Sequence, residues 1–145
     1  MELSCIVDLE SHPIFDLDFQ RQCQATLDGQ GVLLLAQFVQ AEAMASMLDE
    51  SLRLREQAYF CRQSHSVFLN SPDLDLPSSH PLNRTVTTSK GCVCDDLIAS
   101  DSLLRKLYDS VMFRGFVKTV VGHAEIYPYA DSLSSINIHY AERNQ

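Results

Sequence analysis

Between Gly122 and Tyr140 the chain reads GHAEIYPYADSLSSINIHY, a stretch dense in groups that can do chemistry. Two alternating runs meet across Ala130-Asp131-Ser132, the pattern of a β-hairpin. In extended backbone His123, Glu125, Tyr127 and Tyr129 share one face. In the second run Leu133, Ser135, Asn137 and His139 share a face, and Ile136, Ile138 and Tyr140 take the other. His123-Ala124-Glu125 is an H-x-E pair, and His139 could complete a 2-His-1-carboxylate facial site for Fe(II) if the pairing sets residue 139 opposite residue 123. A slip of one residue turns His139 away. Two histidines in a hairpin are more often surface or hydrogen-bonded residues, so the pair does not by itself make a metal site.

Two further signals lie upstream. Arg84 follows a long connection, where a fixed guanidinium can grip a carboxylate with two parallel hydrogen bonds; a lone arginine beside a loop is more often a solvated cation. Cys92 and Cys94 flank Val93 and would share a strand face, but no second cysteine pair supplies the other ligands of a tetrahedral site. The five cysteines are odd in number and irregularly spaced, which is not a secreted disulfide framework.

Composition narrows the classes. A chain of 145 residues with 46% hydrophobic content predicts one domain with its own core. A net charge of -8 with no densely basic window argues against nucleic acid and against an electrostatic membrane anchor. The N-terminus has no basic leader and the longest apolar run, Val32 to Ala36, is too short to span a bilayer, so the expectation is a soluble cytoplasmic protein.

The elements that must position these groups follow in order. Apolar residues at helical spacing from Ile14 end at Asp28-Gly29-Gln30-Gly31, predicting a first helix. Val32 to Ala36 reads as a short strand covered on both faces. Ala41 to Ala58 is the clearest helix, its Met44, Met47, Leu48 and Leu52 read as a packed stripe. Tyr59 to Leu69 leans to strand, Asn70 to Asn83 is a long connection, and Thr85 to Thr88 is a further strand. From Ser102 an apolar register predicts one helix to about Val121, closed by Gly122. Helices and strands without a clean βαβ alternation or an internal repeat predict an α+β fold.

Several segments in this order resemble the N-terminal part of the small Fe(II)/2-oxoglutarate-dependent oxygenases that hydroxylate, or in some relatives chlorinate, free amino acids. They are the Asp28-Gly29 turn, the His80-Pro81-Leu82-Asn83-Arg84 loop, the Asp95-Asp96-Leu97 turn, Leu104 to Phe116, and Ile126-Tyr127-Pro128-Tyr129-Ala130-Asp131 before Ile136-Asn137-Ile138-His139-Tyr140. The resemblance implies N-terminal helices packed on the first strands of a double-stranded β-helix of jelly-roll or cupin type, residues 1–145 forming the N-terminal portion of a larger oxygenase domain. It implies Fe(II) and 2-oxoglutarate as cofactors of the complete enzyme and a small amino-acid-like substrate. The family's H-x-D or H-x-G iron motif comes shortly after the strand that ends near Tyr140. By that reading His123-Ala124-Glu125 is a decoy, and this chain alone binds no iron and is inactive. Arg84, Tyr127, Tyr129, Asp131, Asn137, His139 and Tyr140 are then the positions expected near substrate or co-substrate, with ring packing and turn formation as the plainer roles for the two tyrosines and Asp131. The rival expectation is a non-catalytic acidic binding module that recruits a partner, or a second copy of itself, through an exposed strand edge.

Overall fold

A computed structural model describes residues 3–66, 68–69, 72–131 and 133–141. Among them four α-helices and a three-stranded antiparallel sheet make an α+β arrangement. No helix among the described residues is long and apolar enough to cross a membrane.

Helix α1 spans Leu17–Gln30. It starts where the Asp16 carboxylate accepts the Phe19 N–H at 2.8 Å, and it stops at Gly31, whose φ of 71° is the left-handed turn that a side chain would resist. Helix α2, Ala41–Leu54, has no side-chain cap and is held by what it buries. Its Ala43 and Met47 close on Ile6 and Val7 of the N-terminal segment, with Leu103, Leu104 and Leu107 packed alongside. That segment is tied to the chain before α2 by an antiparallel bridge, Val7 to Val39. The apolar stripe of α2 is only partly covered: Met47 is buried, whereas Met44, Leu48 and Leu52 lie in solvent.

Two expectations need correction here. Val32 to Ala36 forms no strand; Leu33 and Leu35 turn inward beside α1, and Val32 and Leu34 are exposed, Leu34 by 85%. The run alternates because it lies extended over one surface, not between two neighbouring strands. The helix expected from Ser102 to Val121 is two helices, α3 at Leu103–Asp109 and α4 at Val111–Val120. Ser110 divides them, ending α3 and capping α4 as its hydroxyl accepts the Phe113 N–H at 3.2 Å. Ser102 caps α3 and also donates to Glu50 at 2.7 Å, fastening α3 to α2. Helix α4 lies along α1, burying Phe116 and Val120 against Cys23 and Ile14, with Phe19 stacked on Phe116 at 6.1 Å.

The sheet follows α2 in the chain. Strand β1, Tyr59–Ser66, pairs antiparallel with β2, Thr85–Val93, so that Tyr59 faces Cys92 and Ser66 faces Thr85. The connection between them is organised by Asn83, whose amide donates to the carbonyls of Asp73, Leu76 and Pro77 and accepts the Asp73 N–H at 2.7 Å. Strand β3, Ile138–Ala141, pairs with the other edge of β2, so the order is β1-β2-β3. The hairpin expected over residues 122–140 is therefore absent among the described residues: 123–131 form no strand, and His139 faces Cys92, not residue 123. The predicted closing role of Gly122 holds, at φ 69°. These three strands form one antiparallel sheet; a jelly roll or cupin fold is not established by them.

Candidate functional site

The sheet has two unlike faces. On one, Phe60, Gly91 and Tyr140 fall in a row across the three strands, with Val93 and Ile138 in the next row. Gly91 is needed there: a Cβ would stand 2.6 Å from the Phe60 ring, which lies over the glycine and approaches Tyr140 at 6.3 Å between centroids. The Tyr140 hydroxyl donates to the Ser51 carbonyl at 2.5 Å, so this face docks on α2. Burial pushes the Tyr140 phenol above its usual range, and the nearby Arg55 pulls weakly the other way.

The period of two then turns His139, Cys92, Lys90 and Tyr59 to the opposite face. On that face His139, Lys90 and Tyr59 are exposed. Cys92 is half-buried and its thiol donates to Asn137 Oδ1 at 3.5 Å. Burial raises the Cys92 pKa, and the neighbouring Cys94 thiol raises it further, so this is a thiol held in its neutral form. Further along the same face His65 Nε2 meets the Thr88 hydroxyl at 3.3 Å.

The expected site residues are thus divided among three places. His139 and Asn137 sit at the open face. Tyr140 sits on the docked face and serves packing. Tyr127, Tyr129 and Asp131 belong to the irregular segment that precedes β3, where both phenol rings are exposed. That segment is pinned to α3 because Tyr129 N–H donates to the Tyr108 hydroxyl at 2.8 Å. The Asp131 carboxylate is a turn former: it accepts from Leu133 N–H at 2.9 Å and from the Ser134 hydroxyl, and these hold its pKa below the usual carboxylate range, Ser134 foremost. Arg84 is exposed just before the far end of β2, eight residues from Cys92, roughly 26 Å along an extended strand. The strand therefore separates Arg84 from His139 instead of uniting them.

His123 and Glu125 are exposed in the irregular segment, and the hairpin that would bring them to His139 is not formed. Among the described residues no group of three or more His, Cys, Asp or Glu is arranged to hold a metal ion. The strand pairing thus does not bring His123 and Glu125 together with His139.

Sequence reasoning missed Lys90 and Asn83. The signal for Lys90 was available: from Gln57 to Ser66 and from Leu76 to Cys94 the chain holds no Asp or Glu, although it carries 19 in all. Asn83 carried no signal beyond its place in the HPLNR segment.

A groove of about 670 Å³ lies elsewhere, between the N-terminal segment, α3 and the start of α4. Its cations are already engaged. Arg105 pairs with the buried Asp95 at 2.8 Å and donates to the carbonyls of Asp95 and Ile98, and Lys106 donates to the Asp101 carbonyl at 2.7 Å. Those bonds hold the Asp95–Leu97 turn against α3, a structural duty.

Comparison with family models, curated proteins and solved structures gives no match for this chain.

Proposed function

We propose that this chain supplies the helical cover and the first sheet of an Fe(II)/2-oxoglutarate-dependent oxygenase of the cytoplasm, one that hydroxylates a small amino acid or similar metabolite while 2-oxoglutarate is consumed to succinate. The observation that supports the reading is the two-sided sheet: one face is tied to α2 through Tyr140 and buries Gly91 and Val93, and the other carries polar side chains with His139 and Cys92 side by side. In a double-stranded β-helix the helices lie outside the sheet and the chemistry lies on the inner face; the resemblance sets Asn137, His139 and Tyr140 on a strand near co-substrate or substrate, and we take the face of His139 as the inner one. In this reading the iron ligands lie outside the described residues, whose part is to shape the floor on which co-substrate or substrate rests. Five free thiols accord with the reducing compartment we assign.

The test is succinate formation by the natively expressed protein, supplied with Fe(II), 2-oxoglutarate and O2 across a panel of free amino acids. Turnover that depends on one amino acid is expected. Absence of succinate above the no-protein control with every amino acid would sink the reading.

A second reading is favoured by β1. Its outer edge runs for eight residues with no partner among the described residues, no proline and one full charge, Arg62. An edge so little guarded is a template for another strand, and a second copy offers the same edge. Light scattering across a concentration series separates the two readings: a dimer that Gln63→Pro dissolves supports assembly, and a monomer at all concentrations counts against it.

A further inference from the structure

The charge of this chain is unevenly placed. Its formal net charge is -8, yet β1, β2 and β3 contain no carboxylate at all. On the open face one full cation, Lys90, stands on β2 two residues from Cys92, which pairs with His139. Lys90 and His139 are thus diagonal neighbours on one face, roughly 7–8 Å apart between α-carbons, a gap two side chains close readily from either side of a small ligand. The cross-strand partners of Lys90 are Cys61 on β1 and Ala141 on β3, and Cys92 and Thr88 are its neighbours along β2, all uncharged. None of the ion pairs among the described residues involves Lys90 or His139. The remaining cation of the strands, Arg62, points to the other face.

We propose that Lys90, with His139 beside it, holds the carboxylate of a small organic acid on the open face of the sheet. An ammonium with no carboxylate partner among the described residues, on strands that carry no Asp or Glu, attracts an anion that the rest of this acidic chain repels. The ligand is a carboxylate and not a phosphate for a stated reason. Phosphate sites gather several cations or free backbone N–H groups, and here there is one full cation while the backbone of β2 is committed to ladders on both sides. A single carboxylate is matched by one ammonium and one imidazole. The placement rests on the oxygenase reading only for the identity of the acid, which would be the amino-acid substrate or the 2-keto acid; the anion site itself stands on register and charge.

The test needs neither iron nor oxygen, so its failure is distinct from failure of the oxygenase reading. The chain is titrated with succinate at low ionic strength, where exposed charges are least screened, and followed by amide NMR. Shifts concentrated at Lys90, Cys92 and His139 are expected, with an affinity in the millimolar range. Lys90→Met should weaken it at least fivefold and His139→Gln about twofold, whereas Arg62→Met, on the other face, should leave it unchanged. Shifts spread evenly over the surface, an affinity that survives Lys90→Met, or inorganic phosphate binding as tightly as succinate would each overturn the proposal.

Discussion

The helical layer and the sheet are built on different terms. Residues of α1, α2, α3 and α4, with the N-terminal segment, enclose two apolar clusters, one around Val7 and Met47 and one around Ile14 and Phe116. The strands contribute three buried positions, Ser66, Gly91 and Val93, all on the docked face. Burying side chains such as Ile14 and Val7 is worth about 1.5–3 kcal/mol each, so the helical layer carries the greater share of the stability. The sheet is held by its ladders and by one docked row, Phe60, Gly91 and Tyr140, and it bears the candidate chemistry. Low local stability beside a stable scaffold is the common condition of binding surfaces.

If that division is real, damage to one part should be read differently from damage to the other. Phe116→Ala is expected to have the largest effect. Phe116 is 4% exposed and stacked on Phe19, so truncation should cost about 3–5 kcal/mol, a large part of a domain's usual 5–15 kcal/mol. Urea unfolding followed by far-ultraviolet circular dichroism measures it. A loss below about 1 kcal/mol would mean that the helical layer is not the source of stability.

Gly91→Ala tests the sheet alone. The new Cβ would press on the exposed Phe60 ring, which can swing aside, and the strain should amount to about 1–3 kcal/mol. Hydrogen exchange should quicken in β1, β2 and β3 and stay unchanged in α1 and α4. Equal loss of protection in the helices would show that the two parts unfold as one unit.

The sequence showed the helical layer better than the sheet, for physical reasons. Helices α1 and α2 are local structures whose limits are written in nearby residues: Asp16 and Gly31 for α1, and the Ala-, Met- and Leu-rich run for α2. The Ser110 break was not read from the sequence, because the apolar periodicity runs unbroken on both sides of it. Strand partners are not local. The alternation of residues 123–140 permits extended backbone and says nothing about which edge receives it, and the edge that does is β2, far upstream. The alternation itself set Tyr140 on the face opposite His139; it was the resemblance that grouped the two and put Arg84 near them.

A smaller effect is expected in the connection between β1 and β2. Asn83→Ala removes the amide that gathers Asp73, Leu76 and Pro77, and at about 0.5–1.5 kcal/mol per net hydrogen bond with partial replacement by water the cost should be about 1–2 kcal/mol. Limited proteolysis between residues 72 and 83 should speed up while the global unfolding midpoint moves little. Unchanged cleavage would mean that the connection is ordered by something other than Asn83.

The smallest effect, and the most selective, concerns the row that joins sheet to helix. Tyr140→Phe keeps the ring against Phe60 and deletes the hydroxyl bonded to the Ser51 carbonyl, a net loss of about 0.5–1.5 kcal/mol at neutral pH. Its pH dependence gives the clearer reading. Burial raises the phenol pKa in the folded chain, so the folded state favours the protonated form. The resulting stability is fully present below the ordinary tyrosine pKa, near 10, and is lost as pH rises through the raised value. Wild type should therefore lose β3 protection on the alkaline side, as the tyrosinate can neither donate to the Ser51 carbonyl nor remain unhydrated beneath α2. The phenylalanine variant should lack that increment, and the difference between the two profiles removes the contribution of the other four tyrosines. Parallel alkaline profiles would show that the hydroxyl is not what docks the sheet.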